Sequence, residues 1–217
     1  MVAITGVYGA GKTTVAEMFR SRGIPVVSSD ALAHELLADQ KVAERVGRLF
    51  GPEALNPDGT VNRAEVARRV FRSDVSRRRL ERIVHPLVFR RIRKAALDAA
   101  RKGCTIVAVE IPLLHETHAE QRFDTVVTVH TPAPLILKRL KRFCPPREVR
   151  ARWKAQMPAG EKARRADWVI DNSGPRNRTM RQVDAVLRGL ALRYKTIWTA
   201  VPASGRRKIR WSNRAAN

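Results

Sequence analysis

The stretch GVYGAGKT, residues 6–13, follows the apolar run Val2, Ala3, Ile4 almost at the start of the chain. It fits the spacing of a phosphate-binding loop, with Gly6, Gly11, Lys12 and Thr13 at the diagnostic positions and Gly9 between them. Such a loop turns backbone N–H groups onto a polyphosphate, and its glycines allow the positive φ and close approach that a Cβ would block. Gly9, Ala10, Gly11, Lys12, Thr13 and Thr14 are the expected phosphate contacts. Lys12 would reach the β- and γ-phosphate oxygens and the Thr13 hydroxyl would hold Mg²⁺. The flanks agree with this reading. Residues 1–5 are short, apolar and β-leaning, while residues 13–22 place Val15, Met18 and Phe19 on one helical face, with Gly23 as a stop. A glycine-rich turn carrying an accidental Lys-Thr would need neither flank.

The chain of 217 residues is long enough for one good core with one or two insertions. The best apolar run, residues 105–114, is broken by Glu110, so no membrane-spanning stretch is expected. The sequence opens directly on a core strand, which leaves no charged leader. Cys104 and Cys144 are too few and too scattered for a disulfide framework or a metal cluster, and a cytoplasmic setting follows. The net charge of +23 suits either a cleft that attracts polyphosphates or a nucleic-acid binder.

Further short apolar segments at 24–28, 104–110, 125–130 and 168–170 alternate with helical ones. That alternation predicts an α/β protein with a five-stranded parallel sheet covered on both faces. Residues 31–102 are mostly helical, with helices over 31–38, 41–50, 62–71 and 76–102, the last broken or restarted at Pro86. They are too long for a simple crossover and read as a helical subdomain. Residues 137–166 hold eleven Lys/Arg against Glu148 and Glu161, punctuated by Pro145, Pro146 and Pro158. They are either a solvated basic helical pair or a mobile lid whose arginines close on a triphosphate. The nucleotide-binding core is then 1–30, 103–136 and 167–199, and 200–217 is a flexible basic tail.

Six pieces in order, GVYGAGKTTVAEMF, GIPVVSSDALAHEL, VHPLV, EIPLLHE, FDTVVTV and AQMPAGEKARRADWVIDNSG, together resemble the dephospho-CoA kinase family from residue 2 to about 190. The resemblance implies a three-layer P-loop kinase fold of the nucleoside-monophosphate-kinase type, with helical substrate-binding and lid insertions. It implies transfer of the γ-phosphate of ATP to the ribose 3′-hydroxyl of dephospho-CoA, with Mg²⁺, in the last step of coenzyme A biosynthesis.

On that resemblance Asp30 matches an acidic residue that accepts the hydroxyl proton or holds a metal-bound water. Local sequence reads it equally as the N-cap of a helix starting at Ala31. The family usually shows Asp-x-Asp here, whereas this chain has Ser28, Ser29 and Asp30. His85, before Pro86, is an implied contact to the acceptor and equally a packed helical histidine. Pro112, Leu113, Leu114 and Glu116 match the loop lining the acceptor cleft, although the leucines could be plain core. Glu110 stands where a Walker-B-like carboxylate would, and is left without a role. Arg142 is the expected phosphate-clamping arginine and Arg152 the second, with Arg139 spaced differently from the family pattern. Asp171 and Asn172 would meet the adenine, mostly through backbone.

Two rivals remain at this level. One is another small-molecule kinase of the same fold, which a substrate panel separates. The other is a basic P-loop protein acting on nucleic acid, for which four tryptophans and two tyrosines offer little stacking surface and no recognition pattern. The expected partners are ATP and dephospho-CoA, with no membrane, no specific nucleic acid, weak polyanion contact by the tail at most, and a monomeric chain.

Overall fold

The computed structural model describes residues 1–194. Residues 195–199 of the expected nucleotide-binding core and the tail at 200–217 lie outside the described residues. In chain order the first elements are β1 (Val2–Thr5), α1 (Lys12–Ser21), β2 (Val26–Ser28), α2 (Ser29–Leu37), α3 (Gln40–Phe50), α4 (Arg63–Arg72) and α5 (Asp74–Arg101). Then come β3 (Ala108–Glu110), β4 (Thr125–His130), α6 (Ala133–Leu140), α7 (Pro146–Lys154), α8 (Ala159–Arg164), β5 (Trp168–Asp171) and α9 (Arg176–Arg193). Two compact units divide the chain: Met1–Val27 with the part from Ala96 onward, and Ser28–Ala95.

The first unit is built on a five-stranded parallel sheet of order β2-β3-β1-β4-β5. Ile4 of β1 lies opposite Glu110 of β3 and Val127 of β4, and Val129 of β4 opposite Ile170 of β5. β1 is central and buried along its whole length, so it can be uniformly apolar where a half-exposed strand would alternate. The core joins Val2, Ile4, Val127, Val129 and Ile170 of the sheet to Val15, Met18 and Phe19 of α1 and Val183, Leu187 and Leu190 of α9. A two-pronged ion pair, Arg22 to Asp184 at 2.7 and 3.0 Å, ties the end of α1 to α9. Since β1 sits between β3 and β4, the chain leaves it at the place where open α/β sheets form their ligand crevice.

The second unit packs Val42, Ala43, Val46, Val61 and Val66 around Ala54. Asn62 caps α4 by accepting from the Glu65 N–H at 3.1 Å, as its sequence predicts. The break expected at Pro86 does not occur, because α5 runs unbroken for 28 residues. Pro86 is exposed, so its ring needs no room in a packed face.

Candidate active site

The chain leaves β1 through Gly6 and enters α1 at Lys12. Gly11, at φ 93°, is the left-handed residue preceding the helix, and a Cβ there would overlap Nδ2 of Asn172. At Gly6, φ 146°, a Cβ would lie 2.5 Å from the Val129 carbonyl oxygen. Both glycines are therefore required by the turn itself. No side chain caps α1 and no acid stands in its first turn, so its N–H groups and dipole face outward together, as an anion site needs. Lys12 is buried, and its Nζ donates to the carbonyls of Gly6 and Val7 at 3.0 and 3.1 Å.

The Ala10 carbonyl is fixed from two sides. It accepts from Thr131 Oγ1 and from Asn172 Nδ2, each at 3.0 Å. Asn172 is held in turn by Thr179, whose hydroxyl donates to its Oδ1 at 3.1 Å, and its own carbonyl accepts from Arg139 at 2.8 Å. The Asn172 side chain thus supports the loop, and Arg139 is tied to the β5–α9 turn. Next to it, Asp171 Oδ1 accepts from the Ser173 N–H at 2.9 Å, and the Ser173 side chain first, with this N–H bond second, holds the Asp171 carboxyl below its ordinary range.

Thr13 Oγ1 donates to Glu110 Oε1 at 2.8 Å. Glu110 ends β3 beside β1, so sheet topology delivers a carboxylate to the hydroxyl expected to hold Mg²⁺. Two hard oxygen donors beside a phosphate cradle suit Mg²⁺, which takes few protein ligands and completes its shell with phosphate and water. Among the described residues no group of three or more His, Cys, Asp or Glu converges on one point. Glu110, which sequence left without a role, thus stands beside the phosphate loop, and its place at the end of an apolar strand was the available signal.

In the loop after β3, Leu114 is fully buried and so belongs to the core, while Leu113 is exposed. The Pro112 carbonyl accepts from Lys162 Nζ at 2.9 Å. Glu116 accepts from the Met157 N–H at 2.7 Å and from Lys162 Nζ at 2.9 Å, so both its oxygens are engaged. The Arg152 guanidinium stacks 4.4 Å from the centre of the Tyr8 ring, beside the phosphate loop. Arg142 is exposed on the turn between α6 and α7, in a hollow of about 750 Å³ lined also by Lys138, Lys141 and Phe143.

In the second unit, the helix expected to start at Ala31 starts at Ser29, and its N-cap is Ser28, whose Oγ accepts from the Ala31 N–H at 3.3 Å. The capping role considered for Asp30 thus belongs to Ser28. Asp30 sits in the first turn with its carboxylate exposed. His85 is half-buried on α5, and burial pushes its imidazole below the ordinary value, with Glu81 pulling the other way.

The dephospho-CoA kinase family model matches residues 1–177. The chain belongs to the dephospho-CoA kinase family. It is 40% identical over 195 residues to the dephospho-CoA kinase of Methylococcus capsulatus, covering 88% of this chain and 97% of the relative. To that of Symbiobacterium thermophilum it is 39% identical over 191 residues, covering 87% and 80%. Among solved structures, TT1252 from Thermus thermophilus superimposes with a TM-score of 0.76 at 38% identity, covering 87% of this chain and 96% of that one. The dephospho-CoA kinase from Campylobacter jejuni shares the fold, with a TM-score of 0.65 at 24% identity over 88% and 96% of the two chains. The protein is accordingly a P-loop kinase that moves phosphate from ATP to dephospho-CoA in coenzyme A biosynthesis. Among the described residues no helix is long and apolar enough to cross a membrane.

Proposed function

We propose that the phosphate goes to the ribose 3′-hydroxyl of dephospho-CoA, with Mg²⁺ as the cation and the cytoplasm as the setting. The observation that carries the assignment of parts is the Thr13–Glu110 contact at 2.8 Å, a hydroxyl and a carboxylate set side by side at the mouth of the phosphate loop. Phosphoryl transfer asks little covalent chemistry of a protein; it asks for in-line placement and for neutralisation of charge on the transferring group. The glycine-lined loop and the first turn of α1 hold the β- and γ-phosphates through Gly9, Ala10, Gly11, Lys12, Thr13 and Thr14. Lys12, with its Nζ held at the mouth of the loop by the Gly6 and Val7 carbonyls, meets the charge that grows on the bridging oxygen. Thr13 and Glu110 would hold Mg²⁺, which would supply further neutralisation of the phosphate oxygens.

Asp30 takes the proton of the attacking hydroxyl. The structure gives its carboxylate no capping duty, which supports that role. His85 stays neutral near pH 7 because burial lowers its pKa, so it meets the acceptor as a hydrogen-bonding group without charge. Pro112 and the exposed Leu113 border the acceptor, while Glu116 acts on it from behind. Arg142 and Arg152 close on the phosphates, and Asn172 keeps the loop in shape beside the adenine. The test is ATP turnover with dephospho-CoA, CoA, AMP, adenosine and pantothenate offered separately. Dephospho-CoA should stimulate it and CoA should not, since CoA already carries phosphate on that hydroxyl. Equal stimulation by AMP or adenosine would refute the acceptor.

A further inference from the structure

Residues 153–162 lie within the segment that sequence reads as a lid, yet their side chains are committed elsewhere. Trp153 Nε1 donates to the Tyr8 carbonyl at 2.9 Å, and the Tyr8 N–H donates to Gln156 Oε1 at 2.8 Å. Both backbone groups of one phosphate-loop residue are therefore taken by this segment. Immediately downstream, the Met157 N–H and Lys162 Nζ donate to the two oxygens of Glu116, and Lys162 Nζ also donates to the Pro112 carbonyl. The same ten residues thus grip the loop that carries the donor phosphates and the loop after β3. The far end is anchored as well, because Thr128 Oγ1 of β4 donates to the Lys162 carbonyl at 3.2 Å.

We propose that residues 153–162 are a fixed brace that sets the spacing between the phosphate loop and the 112–116 loop, with Gln156 and Lys162 as positioning residues for phosphoryl transfer. The inference rests on the reading that the 112–116 loop borders the acceptor. Three observations separate a brace from a moving lid. Lys162 has no exposed surface, and its ammonium sits 2.8 and 2.9 Å from the Glu116 oxygens. Pulling that pair apart would strand a charge in a dry interior. Trp153 packs against the main core, so its indole bond to Tyr8 is backed by apolar contact. Finally, α8 leads within a few residues into β5, which leaves no slack for a swing about its C-terminal end. Lid motion is then confined to the turn between α6 and α7, which carries Arg142, because Val149 of α7 is itself buried in the main core.

A displacement near 1 Å between donor and acceptor is enough to cost about a hundredfold in rate. Loosening the brace should therefore spoil transfer while leaving ATP binding at the first turn of α1 alone. The test measures Gln156→Leu, which removes the Tyr8 contact, and the double variant Glu116→Gln with Lys162→Met, which removes the ion pair without stranding either charge. Each should lower kcat with dephospho-CoA by about 10- to 100-fold, leave KM for ATP within about threefold, and raise the share of ATP lost to water. A merely structural tie would lower the melting temperature and leave both kcat and the leak to water unchanged. Independently, amide exchange of the wild type with and without ATP should show Tyr8 and Met157 equally protected, while residues 141–145 change. Loss of Met157 protection on adding ATP would overturn the brace. Wild-type protein that ignores dephospho-CoA would instead overturn the acceptor assignment, and the exchange result would still stand.

Discussion

Asp30→Asn and Ser28→Ala lie two residues apart and should have opposite phenotypes. Ser28 Oγ accepts from the Ala31 N–H at 3.3 Å, so truncating it removes the cap of α2. Loss of such a cap costs about 1 kcal/mol, which is a fall of roughly 2–4 °C in Tm for a chain of this size. Asp30 is exposed and makes no cap, so Asp30→Asn forfeits only a charge near a helix N-terminus, about 0.5 kcal/mol. A general base contributes about a hundredfold or more, equivalent to about 2.7 kcal/mol on the barrier. The catalytic effect thus exceeds the stability effect severalfold, and at assay temperatures far below the melt the folded fraction does not change. Steady-state kinetics and thermal melts on both variants make the test. Asp30→Asn should lose about two powers of ten in kcat with nearly unchanged KM values, while Ser28→Ala keeps its kcat and melts lower. An Asp30→Asn enzyme within threefold of wild type would remove Asp30 from the chemistry.

Lys12→Ala should fold normally by circular dichroism and lose about two to three powers of ten in kcat, the usual worth of a cation set against developing phosphate charge; activity within threefold would refute the phosphate-loop reading. Glu110→Gln keeps an oxygen for the Thr13 hydroxyl but loses the charge, so half-maximal activity should need about tenfold more Mg²⁺, and an unchanged Mg²⁺ titration would take Glu110 out of the cation site. His115 is 1% exposed, and neither ring nitrogen has a hydrogen-bond partner among the described residues. Burial lowers its pKa, and Glu120, with an oxygen 3.8 Å away, only partly offsets that. The unfolded chain therefore binds a proton that the folded chain resists, and stability falls as pH drops below the ordinary histidine value of about 6.5. His115→Phe should flatten the Tm profile between pH 7 and 5, and a wild-type-like slope would locate the acid sensitivity elsewhere.

What was legible in the sequence was what is local. The buried strands declare themselves as short apolar runs, and the phosphate loop declares itself because Gly6, Gly11 and Lys12 meet steric and charge demands within eight residues. Asn62 was readable as a cap for the same reason. Asp30 was harder, since a helix start two residues earlier moves the cap from Asp30 to Ser28, and both residue types cap well. Pro86 misled because one proline removes a single intrahelical hydrogen bond and need not end a helix of 28 residues. The partnerships of Glu110 with Thr13, of Glu116 with Lys162 and of Asn172 with Ala10 span 97, 46 and 162 residues of sequence. Local pattern carries no trace of such pairs; they follow from the strand order. Arg139 shows the limit as well: sequence noted only its departure from the family spacing, while its hydrogen bonds serve the carbonyls of Asn172 and Ser173.

The strand order also explains how so short a loop is held still without a ligand. A phosphate cradle works best when its N–H groups need not reorganise as charge develops. A free glycine-rich loop would reorganise, because glycine restrains the backbone least. Here the restraint comes from outside the loop. β4 and β5 lie side by side next to β1, and the first residues beyond their ends, Thr131 and Asn172, both reach the Ala10 carbonyl at 3.0 Å. Residues 153–156 take the N–H and carbonyl of Tyr8. Lys12 itself takes the carbonyls of Gly6 and Val7. The carbonyls of residues 6, 7, 8 and 10 are thus all occupied by donors. The N–H groups of Tyr8 and Ala10 are likewise committed, to Gln156 Oε1 and the Val7 carbonyl, so the glycines supply the conformations of the turn without having to supply its rigidity.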